Sequence, residues 1–201
     1  MRKFKIFVDM DKEEKYLNEM ARKGYHLKKY TVFGFYHFEK GTPADLNYRV
    51  DYRVFNKTSD FEDYKALFED AGWRHVYGTK SGYNQYFLPK DETVDDDIFS
   101  TQESKAARYK TLIDVCIMSF VLVIVYCTTM FASYDFNFAN MGFLTPGLWQ
   151  KNGSDFWQAF FFELPFAFLR TVPIVIFLII GVLYAVWALK ARKIFKEQNK
   201  V

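Results

Sequence analysis

Phe4-Lys5-Ile6-Phe7-Val8-Asp9-Met10-Asp11-Lys12-Glu13-Glu14-Lys15-Tyr16-Leu17-Asn18-Glu19-Met20-Ala21-Arg22-Lys23-Gly24-Tyr25 decides how residues 1–90 are read, because its pattern returns at a constant offset of 48 residues. Phe4-Lys5-Ile6-Phe7 aligns with Tyr52-Arg53-Val54-Phe55, Asp11 with Ser59, Glu14 with Glu62, Tyr16 with Tyr64, Met20 with Phe68, and Gly24-Tyr25 with Gly72-Trp73. Self-similarity at a fixed spacing marks a repeated supersecondary unit. Phe4, Ile6 and Val8 alternate with polar positions, as a half-buried strand does. Asp11-x-x-Glu14 and Ser59-x-x-Glu62 have the form of capping boxes that open a helix. Tyr16, Leu17, Met20 and Ala21 form one apolar stripe, and Phe61, Tyr64, Leu67, Phe68 and Ala71 another. Gly24 and Gly72 fall where a helix ends in a left-handed residue.

A strand follows each glycine. The first, about Leu27–Glu39, is long, and Gly41-Thr42-Pro43 turns it into the next. There Tyr48, Val50, Tyr52 and Val54 alternate with Asn47, Arg49, Asp51 and Arg53, one face apolar and one polar. Two βαβ units in tandem describe a ferredoxin-like α+β domain, with Asn84–Leu88 as a further strand beyond it. The polar face of the central strands, with Lys5 and Phe7 beside Arg49, Asp51 and Arg53, is the candidate partner face.

Charge divides the chain at this point. Residues 1–98 carry 17 Lys and Arg against 18 Asp and Glu, while residues 99–201 carry 10 against 6 in an apolar background. Leu112–Phe131 has one charge, Asp114, and Val172–Leu189 has none. Each is long enough to cross a hydrocarbon core of ~30 Å, and a helix satisfies its own backbone there. The expected organisation is therefore a domain at 1–90, a polar linker and basic flank at 91–111, spans at 112–131 and 172–189 forming a hairpin, an outer aromatic segment at 132–171, and a basic tail at 190–201. Lys105, Arg108 and Lys110 precede the first span; Lys190, Arg192, Lys193, Lys196 and Lys200 follow the second; only Lys151 and Arg170 lie between. That asymmetry puts both termini in the cytosol of a multi-pass membrane protein. The start of the chain lacks the uninterrupted apolar run of a signal peptide. Cys116 and Cys127 would lie about 16 Å apart along one helix, too far for a disulfide.

Phe156 to Phe168 is too aromatic for a solvated loop. An interfacial helix, bent at Pro165 and Pro173, is the expected form. Phe156, Trp157, Phe160, Phe161, Glu163 and Arg170 are the candidate residues for an apolar ligand or a partner's helix. Asp95-Asp96-Asp97 reads as a solvated spacer.

No catalytic set emerges. His26, His37 and His75 are scattered without metal-ligand spacing, and there is neither a nucleophile elbow nor a glycine-rich phosphate loop. The expectation is a non-enzyme with no cofactor and no metal. Phe33-Gly34-Phe35-Tyr36-His37-Phe38 has the aromatic core of an RNA-recognition motif, but Thr31-Val32 precede it where Lys/Arg-Gly belong, and the domain is near-neutral. Nucleic acid is therefore not an expected partner.

Glu13 to Leu27, Tyr36-x-Phe38-Glu39-Lys40-Gly41-x-Pro43, Tyr48-Arg49-Val50-Asp51-Tyr52 and Leu67-Phe68-Glu69-Asp70-Ala71-Gly72-Trp73 together resemble the domain of unknown function family 2812. The resemblance covers about Met1–Lys90. It implies a bacterial origin, a soluble domain tethered to membrane helices, and genetic association with PadR-type regulators; it implies no activity or site residues. Tyr25 stands where that family often has Trp. The functional expectation is a binding or regulatory module at the bacterial cell membrane, in contact with membrane lipids and a protein partner such as a PadR-type regulator, with self-association as a further possibility. The second reading is an accessory subunit of a transporter or immunity complex, acting through its spans. A lipid-modifying enzyme is a weak third, since the aromatic segment offers only Glu163 and Arg170 as reactive groups.

Overall fold

The structure, a computed structural model, describes residues 1–91, 97–133 and 142–199. They form two compact units, residues 1–113 with 189–201, and residues 114–188.

In the first unit the chain runs β1 (Arg2–Phe4), α1 (Met10–Arg22), β2 (Tyr25–Thr31), β3 (Phe35–Lys40), β4 (Arg49–Tyr52), α2 (Thr58–Asp70), β5 (Trp73–Tyr77) and β6 (Asn84–Pro89). The strands make two antiparallel three-stranded sheets, ordered β1-β3-β2 and β4-β6-β5. Both halves thus share the order strand, helix, strand, strand, with the last strand in the middle. The expected ferredoxin-like arrangement of βαβ units on one sheet differs from this in two places. The long strand expected at 27–39 is a hairpin, and Asn84–Leu88 is the centre of its sheet rather than an addition to it. Alternation hid the hairpin, because two antiparallel strands joined by an apolar turn carry the same period of two as one long strand. The turn closes on Gly34, whose φ of 80° suits glycine.

Gly24 and Gly72 do end their helices with positive φ, 77° and 85°. The starts differ from expectation. Asp9 caps α1 by accepting from the Lys12 N–H at 3.3 Å, and α2 follows Lys57 with no side-chain cap. Glu14 is therefore not a capping residue.

Leu17, Met20 and Ala21 of α1 are buried as expected. On α2, Phe61 and Tyr64 pack with Trp73 and Phe87, and Phe55, Phe68 and Ile98 flank them. Leu67 lies 65% exposed. β1 ends at Phe4, and of the alternating Phe4, Ile6 and Val8 only Val8 is buried.

The second unit consists of parts of two long helices, α3 (Gln102–Ser133, 32 residues) and α4 (Gly153–Gln198, 46 residues), and the segment before α4. At 1.5 Å per residue these are about 48 and 69 Å long, and both carry windows apolar enough to cross a membrane. The aromatic segment is the start of α4 itself, which stays helical through Pro165 and Pro173. Within this unit the Tyr126 and Phe177 rings meet at 4.3 Å, and a Cβ on Gly181 would come 3.0 Å from Val123 Cγ1. Met118, Leu122, Val125, Ile179, Val182 and Val186 face outward, an apolar surface of the kind a lipid environment covers. Most of the linker's acidic run (92–96) and part of the outer segment (134–141) lie outside the described residues.

Candidate functional site

The first turns of α1 gather the densest set of buried charges in the first unit. Arg108, from the opening turns of α3, is fully buried. Its Nη1 donates to Glu14 Oε1 and to the Val50 carbonyl, both at 2.8 Å, and its Nη2 pairs with Asp11. The guanidinium lies 5.2 Å from the Phe99 ring and 5.3 Å from that of Tyr109. Glu14 also accepts from the Val50 N–H at 3.1 Å, and Arg49 stands 3.7 Å from its second oxygen. A buried charge persists only when partners replace its water; here every charge has one, although Arg108 Nε donates to nothing among the described residues.

Asp11 is the meeting point. Arg108 reaches it from α3, Lys105 Nζ stands 3.8 Å away, and Gln198 at the end of α4 donates to Asp11 Oδ2 at 3.0 Å. Lys105 also donates to Asp97 at 2.7 Å, so that member of the acidic run is an ion-pair partner rather than a solvated spacer. One residue after Arg108, the Tyr109 hydroxyl accepts from the Met10 N–H at 3.1 Å, filling a donor left free at the start of α1. Both long helices are thus fastened to one turn of α1.

Glu13 points the other way, between the two sheets. Its Oε1 accepts from the hydroxyls of Tyr36 on β3 and Tyr86 on β6, each at 2.7 Å. Burial pushes the Glu13 carboxyl up to about 7. Burial, and then the charge of Glu13, holds both phenols far above their ordinary value, so they remain donors.

The five residues of the expected partner face are not assembled on one exposed surface. Asp51 is buried, accepting from the Tyr64 hydroxyl at 2.8 Å, and Arg53 stands 3.6 Å from it. The Arg49 side chain is 16% exposed and bonds to Asn47 and the Tyr48 carbonyl. Lys5 lies 4.2 Å over the Tyr16 ring and 5.0 Å over that of Phe7.

The second unit holds its own buried carboxylate. Glu163 accepts from the Leu144 and Thr145 N–H groups and the Thr145 hydroxyl, and Arg170 Nη1 stands 3.3 Å away while donating to the Gly142 carbonyl at 2.9 Å. Phe156 and Phe160 pack on Phe143, whereas Trp157 and Phe161 stack on each other and face outward. The aromatic set therefore divides. A cavity of about 360 Å³ in this unit is lined instead by Tyr126, Met130, Phe166, Leu169, Arg170, Pro173 and Ile174.

Sequence reasoning missed Arg108, Asp11, Glu13 and Glu14. The basic-flank reading absorbed Arg108 with its neighbours. Glu13 did leave a signal: it lies four, seven and eight residues before Leu17, Met20 and Ala21, on their apolar stripe, where a solvated acid does not belong.

The architecture defines a class: a mixed α+β domain joined to two long apolar helices. Within it, this chain belongs to the family described as a protein of unknown function (DUF2812), whose model matches residues 9–121. The match runs beyond the sheets through Arg108 and Tyr109 into α3. No curated protein and no solved structure matches the chain.

Proposed function

We propose that this protein is a membrane-tethered, non-enzymatic regulatory module. Its α3 and α4 cross a bacterial cell membrane as a hairpin with both termini cytosolic, and its α+β domain binds a protein partner, such as a PadR-type regulator, in response to the state of the membrane. The carrying observation is the Arg108 cluster. A helix that only anchors a domain needs no charge buried inside that domain, whereas Arg108, Tyr109 and Gln198 bind the helices to the turn of α1 whose next residue, Glu13, joins the two sheets. A shift of either helix therefore acts on Asp11 and Glu14 directly. The eight basic flanking residues against two between the spans support the orientation.

The test is crosslinking in the native membrane, comparing the wild type with Arg108→Met/Glu14→Gln, which replaces the ion pair with neutral groups of similar size. The expected result is a soluble regulator crosslinked through residues 1–91, with its yield changed in the variant at equal membrane insertion. A transporter crosslinked through residues 114–188, unaffected by the variant, would overturn this reading in favour of an accessory subunit.

A further inference from the structure

The first sheet has a surface that no described element covers. Cross-strand register puts Arg2 opposite His37 and Phe4 opposite Phe35 on β3, with Lys29 and Thr31 of β2 facing the same two β3 residues. Residues directly opposite share a face of the sheet. Tyr36 and Phe38, on the other face, meet Tyr16 of α1. On the uncovered face the Phe4 and Phe35 rings lie 5.1 Å apart, and the Arg2 guanidinium sits 4.9 Å over Phe35.

The β2–β3 turn extends this surface into an apolar tip. Val32 is 72% exposed and Phe33 75%. A Cβ on Gly34 would come 2.9 Å from Ile6 Cγ1 and 3.3 Å from Phe4 Cε2, so exposed Ile6 and Phe4 crowd over the same turn. The uncovered face and its tip carry the cations Arg2, Lys28 and Lys29, with Glu39 paired to Lys28 at 3.4 Å. Lys3 lies opposite Tyr36 and Lys5 lies over Tyr16, so both belong to the covered face.

We propose that this surface docks on an anionic lipid bilayer, with Val32 and Phe33 entering the headgroup layer and Arg2, Lys28 and Lys29 lying against lipid phosphates. An exposed apolar tip flanked by cations is what an interfacial site requires. A second copy of the chain would set cations against cations in a twofold contact. A single-stranded nucleic acid would use the flat rings of Phe4 and Phe35 but leave the aliphatic tip of Ile6 and Val32 without a stacking partner. Tethering adds to the case, because a domain fastened to membrane helices meets that surface at high effective concentration. The inference rests on the membrane reading of α3 and α4.

The experiment uses the full chain with Cys116→Ser and Cys127→Ser, a spin label at Val32→Cys, and nanodiscs of phosphatidylcholine with or without phosphatidylglycerol. Incorporation into discs of either composition is established first, and failure there refutes the membrane reading itself. Collision of the label with a neutral, water-soluble nickel reagent should fall several-fold when phosphatidylglycerol is present. Arg2→Glu/Lys29→Glu should restore it. Equal accessibility in both discs overturns the proposal. So does protection in both discs with spin–spin broadening, the mark of a second copy. Binding of a labelled oligonucleotide that the same charge reversal abolishes, with no lipid effect, overturns it in favour of nucleic acid.

Discussion

The two strand-helix-strand-strand halves of the first unit share their element order and strand order, yet their helices are used differently. Helix α1 buries Glu13 and Glu14 beside Leu17, Met20 and Ala21, and receives Arg108 and Tyr109 from α3. Helix α2 buries only Phe61 and Tyr64, against aromatic neighbours, and leaves Leu67 in the open. Helix α1 supplies the acids that meet the long helices; α2 packs through aromatic rings, with the Tyr64 hydroxyl on the buried Asp51 of β4. The same backbone plan therefore divides its work, and α1 is the helix that α3 and α4 contact.

The largest expected effect tests that division directly. Arg108→Ala takes the nearest cation from buried Glu14, leaving Arg49 at 3.7 Å, and should cost about 3–5 kcal/mol, read as faster hydrogen exchange of β3 and β6 amides in the full chain. Arg108→Met/Glu14→Gln should recover most of that loss. If Arg108→Ala leaves exchange unchanged, the cluster is ornamental and the comparison fails.

Next, Leu17→Ala should lower stability by about 2–5 kcal/mol as a buried truncation, while Leu67→Ala stays within about 0.5 kcal/mol. Equal effects would mean that the two helices are equally packed.

The third prediction concerns pH. With Glu13 raised from 4.5 to about 7 in the fold, the native state binds more protons than the unfolded chain between those values. Stability is then greatest below about pH 4.5 as far as this group is concerned, and is lost as pH rises toward 7. Protection of the Tyr36 and Tyr86 amides, relative to their intrinsic exchange at each pH, should fall over that range, and Glu13→Gln should flatten the profile. A profile that persists in Glu13→Gln assigns the effect elsewhere.

The smallest effects lie at the helix starts. Asp9→Ala should cost about 1 kcal/mol through loss of the cap, whereas Lys57→Ser should stabilise α2 by about 0.5–1 kcal/mol by supplying the cap it lacks. Thermal unfolding midpoints would separate the two signs.

Much of this protein was legible in the residues. The repeat, the helix stripes, the glycine stops and the two long apolar stretches are local or periodic signals, and local physics carries them into the structure with few changes. Strand order was not legible, because antiparallel neighbours are chosen by which apolar faces meet, and a hairpin with Val32-Phe33 at its tip keeps the alternation of a single strand. Nor was the role of Arg108, whose composition and spacing match any membrane-flanking basic residue. Only folding brings it against Asp11, Glu14 and the Val50 carbonyl, residues far from it in the chain. Sequence alone thus determined the helices α1 and α2, their glycine stops and the division into an α+β domain and apolar helices. Tertiary structure decided which charges are buried together, because desolvation and pairing depend on distance in space rather than on order along the chain.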